Sequence, residues 1–195
     1  MEMIKKLREK TAAGMMDCKK ALEEAGGDME KAVDILRQKG LAVAAKRAGK
    51  ATKEGVVAAY IHANKKLGAM VEVNCETDFV ARTEEFQKFA YDVAMHIAAT
   101  NPICVGREDV PAEVLEREKQ IYEAQARETG KPENVIEKIV QGKLEKFYKE
   151  SVLLEQAFVK NPELTIQDLL NELMTKTGER IQIKRFVRYQ VGEES

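Results

Sequence analysis

GVVAAYIHANKKLGAMVEVNC, residues 55–75, is the stretch on which the reading of the fold turns. Val57, Ala59 and Ile61 alternate with Val56, Ala58, Tyr60 and His62, the period of two expected of a half-buried strand. Asn64, Lys65, Lys66 and Gly68 supply turn chemistry, and residues 69–75 run on as a second strand, so the stretch is a β-hairpin. Just downstream, Phe86, Phe89, Ala90, Val93, Ala94 and Ile97 recur at helical spacing, a stripe wide enough to cover one face of a small sheet. The core is therefore α+β.

Further along, Pro111 opens a helix reaching about Thr129, and Gly130 and Pro132 break it. Val135, Ile136, Ile139, Val140, Leu144 and Phe147 define a return helix, which makes 111–148 an antiparallel helical hairpin. Thr165 with Asp168 reads as a capped helix start, followed by Ile166, Leu169, Leu170 and Leu173 and closed by Gly178. The segment RIQIKRFVRYQV, 180–191, places Ile181, Ile183, Val187, Tyr189 and Val191 on one side of a final strand, with Arg185 the exception. Upstream of the hairpin, Met3, Ile4 and Leu7 line a first helix, and Met15, Cys18, Leu22 and Ala25 a second that ends at Gly26-Gly27. Asp28 caps a third, whose stripe is Met29, Ala32, Val33 and Leu36 and whose expected end is Gly40. The Ala-rich, basic segment 41–53 reads as a linker, which divides the chain into a helical module, 1–50, and a core, 54–195.

Composition narrows the function classes. Of 195 residues 44% are apolar and 33% charged, and 32 Lys and Arg against 33 Asp and Glu give a formal charge of -1, which disfavours a dominant nucleic-acid role. No long apolar run suggests a leader or a membrane span, so a cytoplasmic protein is expected. Cys18, Cys75 and Cys104 are too scattered for a disulfide scaffold or a zinc ribbon, and His62 and His96 form no metal-binding pair. Phosphate-cradling glycine loops and nucleophile elbows are missing as well, so neither a cofactor nor covalent catalysis is expected.

Two segments go beyond pattern. TAAGMMDCKKAL at 11–22 and NCETDFVAR at 74–82 resemble the two signature segments of the translation elongation factor Ts family, in order and separation. MHIAATNP at 95–102, TGKPENVIEKIVQGKLEKF at 129–147 and RFVRYQVGE at 185–193 are similar to later parts of the same family. The resemblance implies a ubiquitin-associated-like three-helix module, a core that docks on elongation factor Tu, and promoted release of its GDP. Longer members carry two related core halves and this chain has residues for one, so the resemblance implies a two-subunit form. The tail VGEES holds no cysteine, and the homodimer is expected to be noncovalent.

The resemblance also implies the site residues. Asp78 and Phe79, flanked by Thr77 and Val80, are the pair that enters the partner's nucleotide domain near its magnesium site, the ring acting as a wedge. From the residues alone, Asp78 as a helix cap and Phe79 as a core side chain is the competing reading. Met15 and Met16 follow Gly14 at a helix start, where flexible thioethers suit a partner groove; Met15 falls on the stripe of Cys18 and Leu22, which leaves Met16 the better contact. His62 corresponds to a hairpin position near the partner's phosphate-binding loop, against the alternative of a solvated surface group. Two rivals stay open: an adaptor built on the helical module, and an RNA-binding protein using Lys46, Arg47, Lys50 and Lys53 with Lys184, Arg185, Phe186 and Arg188.

Overall fold

In the computed structural model, which describes residues 2–11, 13 and 15–193, three helices lead: α1 (Glu2–Thr11), α2 (Met15–Glu24) and α3 (Met29–Arg47). The hairpin strands β1 (Glu54–Ile61) and β2 (Leu67–Cys75) follow, then α4 (Asp78–Ala81) and α5 (Glu84–Thr100). Next come α6 (Ala112–Arg127) and α7 (Glu133–Ser151), short strands β3 (Ala157–Phe158) and β4 (Asn161–Thr165), α8 (Ile166–Thr177) and β5 (Gln182–Gln190). The architecture is α+β, as the periodicities require. Leu7, Cys18, Ala21 and Ala32 are completely buried where α1, α2 and α3 converge. Asp28 Oδ1 accepts the amides of Glu30 and Lys31 at 3.0 and 3.1 Å and so caps α3, as the sequence suggests.

The main sheet runs β1-β2-β5, antiparallel throughout. Its inner face presents Ala69, Val71 and Val73 to the α5 stripe, where Phe86, Val93 and Ile97 lose all contact with water. α8 adds Ile166, Leu170, Leu173 and Met174 to the same core through a helix start in which Thr165 and Asp168 exchange side-chain to backbone hydrogen bonds. The expected sidedness of the last strand is wrong over half its length. Glu72 pairs with Arg185 but the next residue, Val73, pairs with Ile183, so Lys184 is an extra residue, a β-bulge. Ile181 and Ile183 face the core, whereas beyond the bulge Val187 and Tyr189 face outward and Arg188 lies inward, donating to the Ala98 carbonyl at 3.0 Å. Arg185 is thus no exception within one face; it marks the residue where the face changes.

Gly40 does not terminate α3, which continues to Arg47. A Cβ at position 40 would stand 3.2 Å from Thr175 Oγ1 and 3.4 Å from Asn171 Cβ, so the glycine lets α3 approach α8. That contact offsets the roughly 1 kcal/mol by which glycine weakens a helix interior. The segment joining α3 to the sheet accordingly begins at residue 48, not 41. The helical hairpin forms as expected, with its own small cluster of Ala126, Ile136 and Val140. Its base is fixed by Arg107, which donates to Glu145 Oε1 at 2.9 Å and to Glu155 Oε2 at 2.7 Å while lying 4.3 Å from the Tyr148 ring centroid.

His96 is fully buried in α5. Its Nε2 lies 2.9 Å from Gln156 Oε1 and its Nδ1 accepts from the Val159 amide at 3.4 Å, an arrangement that suits the neutral ring protonated on Nε2. Burial therefore holds its pKa below the usual imidazole value of 6.5, against the opposing pull of Gln156. Above that value folded and unfolded chains are both neutral and stability is complete. As pH falls below about 6.5 the unfolded chain takes up a proton that the folded one resists, so stability declines by up to about 1.4 kcal/mol per pH unit. Glu172, whose carboxyl pKa burial pushes up to about 7, contributes a slope of opposite sign over the same range. The His96 slope is therefore read as the difference in urea stability between the native protein and His96→Gln from about pH 7 to pH 5, with the native protein losing more as pH falls.

Candidate partner-binding surface

β2 ends at Cys75 and α5 starts after Thr83, leaving a short turn strung between two core elements. Thr77, extended at φ -128 and ψ 154, is the N-cap of α4, and its Oγ1 accepts the Val80 amide at 3.4 Å. A helix of four residues cannot sustain itself in water, so its orientation is imposed by its surroundings. Ala81 is buried, Val80 packs half-buried on the core, and Phe79 is thrown outward with 80% of its surface exposed. The competing reading, Asp78 as cap and Phe79 in the core, fails on both counts: Thr77 is the cap and Phe79 is outside. Asp78 instead pairs with Arg82 at 2.9 Å, a solvent-facing contact of little energetic weight.

Two carboxylates hold this turn from behind. Glu179, just past α8, accepts the amides of Glu76 and Thr77 on Oε2, both at 3.1 Å, and the Thr77 hydroxyl on Oε1 at 2.6 Å. In return Glu76 Oε1 accepts the Arg180 amide at 2.7 Å. Arg47, the last residue of α3, reaches Glu76 Oε2 at 3.1 Å and so ties the leading helices to the same turn. The sequence reading missed Glu179 and gave Glu76 no role; a contact spanning about a hundred residues leaves no periodic trace. Cys75 donates its thiol proton to the Thr77 carbonyl at 3.1 Å, and burial, with the nearby Glu179 charge, pushes its pKa up to about 11. It is a protonated, structural thiol. Cys18 and Cys104 are likewise buried and free.

The remaining expected contact residues lie elsewhere. Met15 and Met16 open α2 and both are exposed, so Met15 does not share the burial of Cys18 and Leu22. Ala13, buried and accepting from Cys18 Sγ at 3.6 Å, closes that end of the cluster in its place. His62 is exposed where β1 gives way to the turn, its Nδ1 2.9 Å from the Tyr60 hydroxyl. Its amide pairs with Leu67 at the opposite end of β2 from Cys75, about 26 Å from the Phe79 turn at strand spacing. The fold therefore offers Thr77, Asp78, Phe79 and Val80 as one site and does not bring His62 to it. Among the described residues no cluster of His, Cys, Asp or Glu is arranged to hold a metal ion, and no helix is long and apolar enough to cross a membrane.

A sequence model of the family described as Elongation factor TS matches residues 2–193. The chain belongs to the elongation factor Ts family. Elongation factor Ts of Desulfotalea psychrophila is 69% identical over 191 residues, 98% of this chain and 97% of that protein. Those of Carboxydothermus hydrogenoformans and Thermotoga maritima are 63% and 58% identical, over 98% and 99% of this chain and 88% and 96% of their own lengths. These Ts proteins are thus of nearly the same length, each with room for a single such core. Membership makes the chain an elongation factor of protein synthesis, and it rests on the whole sequence rather than on the two signature segments alone.

The exposure of Phe79 has a measurable corollary. Phe79→Ala will change unfolding free energy by less than about 0.5 kcal/mol, whereas Phe86→Ala, at the centre of the core, will cost about 3–5 kcal/mol. Urea titrations of the two variants beside the native protein make the comparison.

Proposed function

We propose that the protein is a guanine-nucleotide exchange factor that binds elongation factor Tu in the cytoplasm and promotes release of its GDP without covalent chemistry. The observation that carries this reading is Phe79, an aromatic side chain exposed on a turn that the fold holds at both ends and from behind. Apolar surface of this kind gains a few kcal/mol when buried in a partner, enough to favour a nucleotide pocket with distorted magnesium and phosphate contacts. Linkage then requires that the factor and the nucleotide each weaken the other's hold, so GTP can drive the factor off. Asp78, Thr77 and Val80 frame the wedge. Met15 and Met16 form a second contact on the ubiquitin-associated-like module, residues 1–50, which acts beside a core of residues 54–195; His62 makes a third, separate contact.

Direct nucleic-acid binding is not part of this reading. Several cations on which an RNA surface would draw are engaged within the chain, Arg47 by Glu76, Arg185 by Glu72 and Arg188 by Glu193. Release of labelled GDP from purified elongation factor Tu, with and without this protein, tests the proposal. Phe79→Ala will slow the stimulated release by at least about tenfold, equivalent to about 1.4 kcal/mol of barrier. A variant that exchanges at the native rate overturns the role of the wedge.

The proposal includes a noncovalent homodimer formed through the sheet. Val57, Ile61, Met70, Val187 and Tyr189 make its outer face apolar, with Ile61 lying over Gly68, where an added Cβ would meet Ile61 Cδ1 at 2.5 Å. Beside that face runs the free edge of β5. A second copy offers the same face, and twofold pairing of self-complementary surfaces is the commonest closed assembly. With every cysteine buried, the dimer will persist in reducing agent. Light scattering under those conditions will give about 44 kDa, twice the 21.9 kDa chain, and a mass near a single chain at tens of micromolar would exclude the dimer.

A further inference from the structure

We infer that Glu179 is a positioning residue for the Phe79 turn: its carboxylate, supplied from the far side of α8, fixes the direction in which the ring points. The inference rests on the reading of Phe79 as the wedge and adds to it a residue outside the signature segments. Both oxygens of Glu179 are committed to the turn, one to the amides of Glu76 and Thr77 and the other to the Thr77 hydroxyl. Thr77 is the N-cap of α4, so a restraint on its amide and hydroxyl is a restraint on the start of the helix that carries Phe79. Charge-assisted bonds to adjacent amides are stronger than neutral ones and tolerate little rotation.

The reverse bond makes the restraint mutual. Glu76 accepts the amide of Arg180, so each loop holds the backbone of the other through a carboxylate. α4 is too short to define its own axis, and the salt bridge from Asp78 to Arg82 is solvent-exposed and weak. Among the described residues, of the polar contacts on the turn those of Glu179 alone join the N-cap to a separate, anchored segment of the core, the loop that follows the Gly178 cap of α8. Glu179 touches no partner atom in this scheme. It acts through Thr77, and what it controls is the spread of Phe79 orientations before binding, which sets how much order must be gained when the ring is inserted.

The chain contains no tryptophan, so Phe79→Trp introduces a single fluorophore at the wedge position. Time-resolved anisotropy of that variant measures the local freedom of the turn without any partner present. Adding Glu179→Gln, which keeps the shape but not the charge, will about double the amplitude of the fast, sub-nanosecond component while the urea midpoint stays at its native value. In the native Phe79 background, Glu179→Gln will slow stimulated GDP release from elongation factor Tu about tenfold. Unchanged anisotropy overturns the positioning role, whatever the exchange rate does. A looser turn with undiminished exchange upholds the positioning of the turn and overturns the wedge reading of Phe79 instead. Should Glu179→Gln unfold, Glu179→Asp, which keeps the charge but withdraws it by one methylene, replaces it; an unchanged fast anisotropy component there overturns the inference.

Discussion

Phe86, Val93 and Ile97 of α5 lie completely buried against Val71 and Val73 of β2, each side chain removed from water contributing about 1.5–3 kcal/mol. The rest of the core is arranged around that contact. β1 and β5 flank β2 and pack on α5 beside it, α8 adds Leu170 and Leu173, and the Phe79 turn is the connection between its two halves. Because β2 and α5 cannot move apart without exposing this surface, the two ends of segment 76–82 are fixed before any partner arrives.

An exposed aromatic on a loose loop would be a poor wedge, since the order imposed on binding would be subtracted from what burial of the ring supplies. Here the ends of the turn belong to the core, its N-cap is held by Glu179, and Glu76 connects it to Arg47 at the tip of α3. The last contact gives the leading helices, which carry the exposed Met15 and Met16, a physical connection to the Phe79 turn. The two exposed apolar patches therefore belong to one chain of hydrogen bonds and packed helices.

What could be read from the sequence was what repeats. The α5 stripe, the alternation of the hairpin, the Thr165 and Asp168 exchange and the paired glycines after α2 each follow from local geometry, and each is found where periodicity puts it. The failures are places where tertiary contact overrides a local signal. Gly40 looks like a helix terminator but is small because α8 is close; Met15 continues a stripe whose end is already filled by Ala13; Lys184 is a bulge that no alternation count can see. Thr77, Asp78, Phe79 and Val80 were singled out through the resemblance to a family signature, since the residues alone allowed Phe79 a place in the core. Glu179 was not, because its partners are about a hundred positions away and a lone glutamate after a helix-capping glycine is unremarked in any pattern.

The extra residue in β5 makes one strand serve two surfaces. Before Lys184 its large side chains belong to the interior, and after it Val187 and Tyr189 belong to the exterior, while Lys184 itself is exposed and pairs with nothing across the sheet. Its chemical identity is therefore nearly free, and the register on either side does not depend on its presence. Loss of that single codon would leave Ile183 opposite Val73 and Arg185 opposite Glu72 and make the alternation continuous, so Phe186 and Arg188 would stay on the inner face and Tyr189 on the outer one. Position 184 is one where substitutions and single-residue deletions should both accumulate among relatives, a freedom of chain length as well as of residue type.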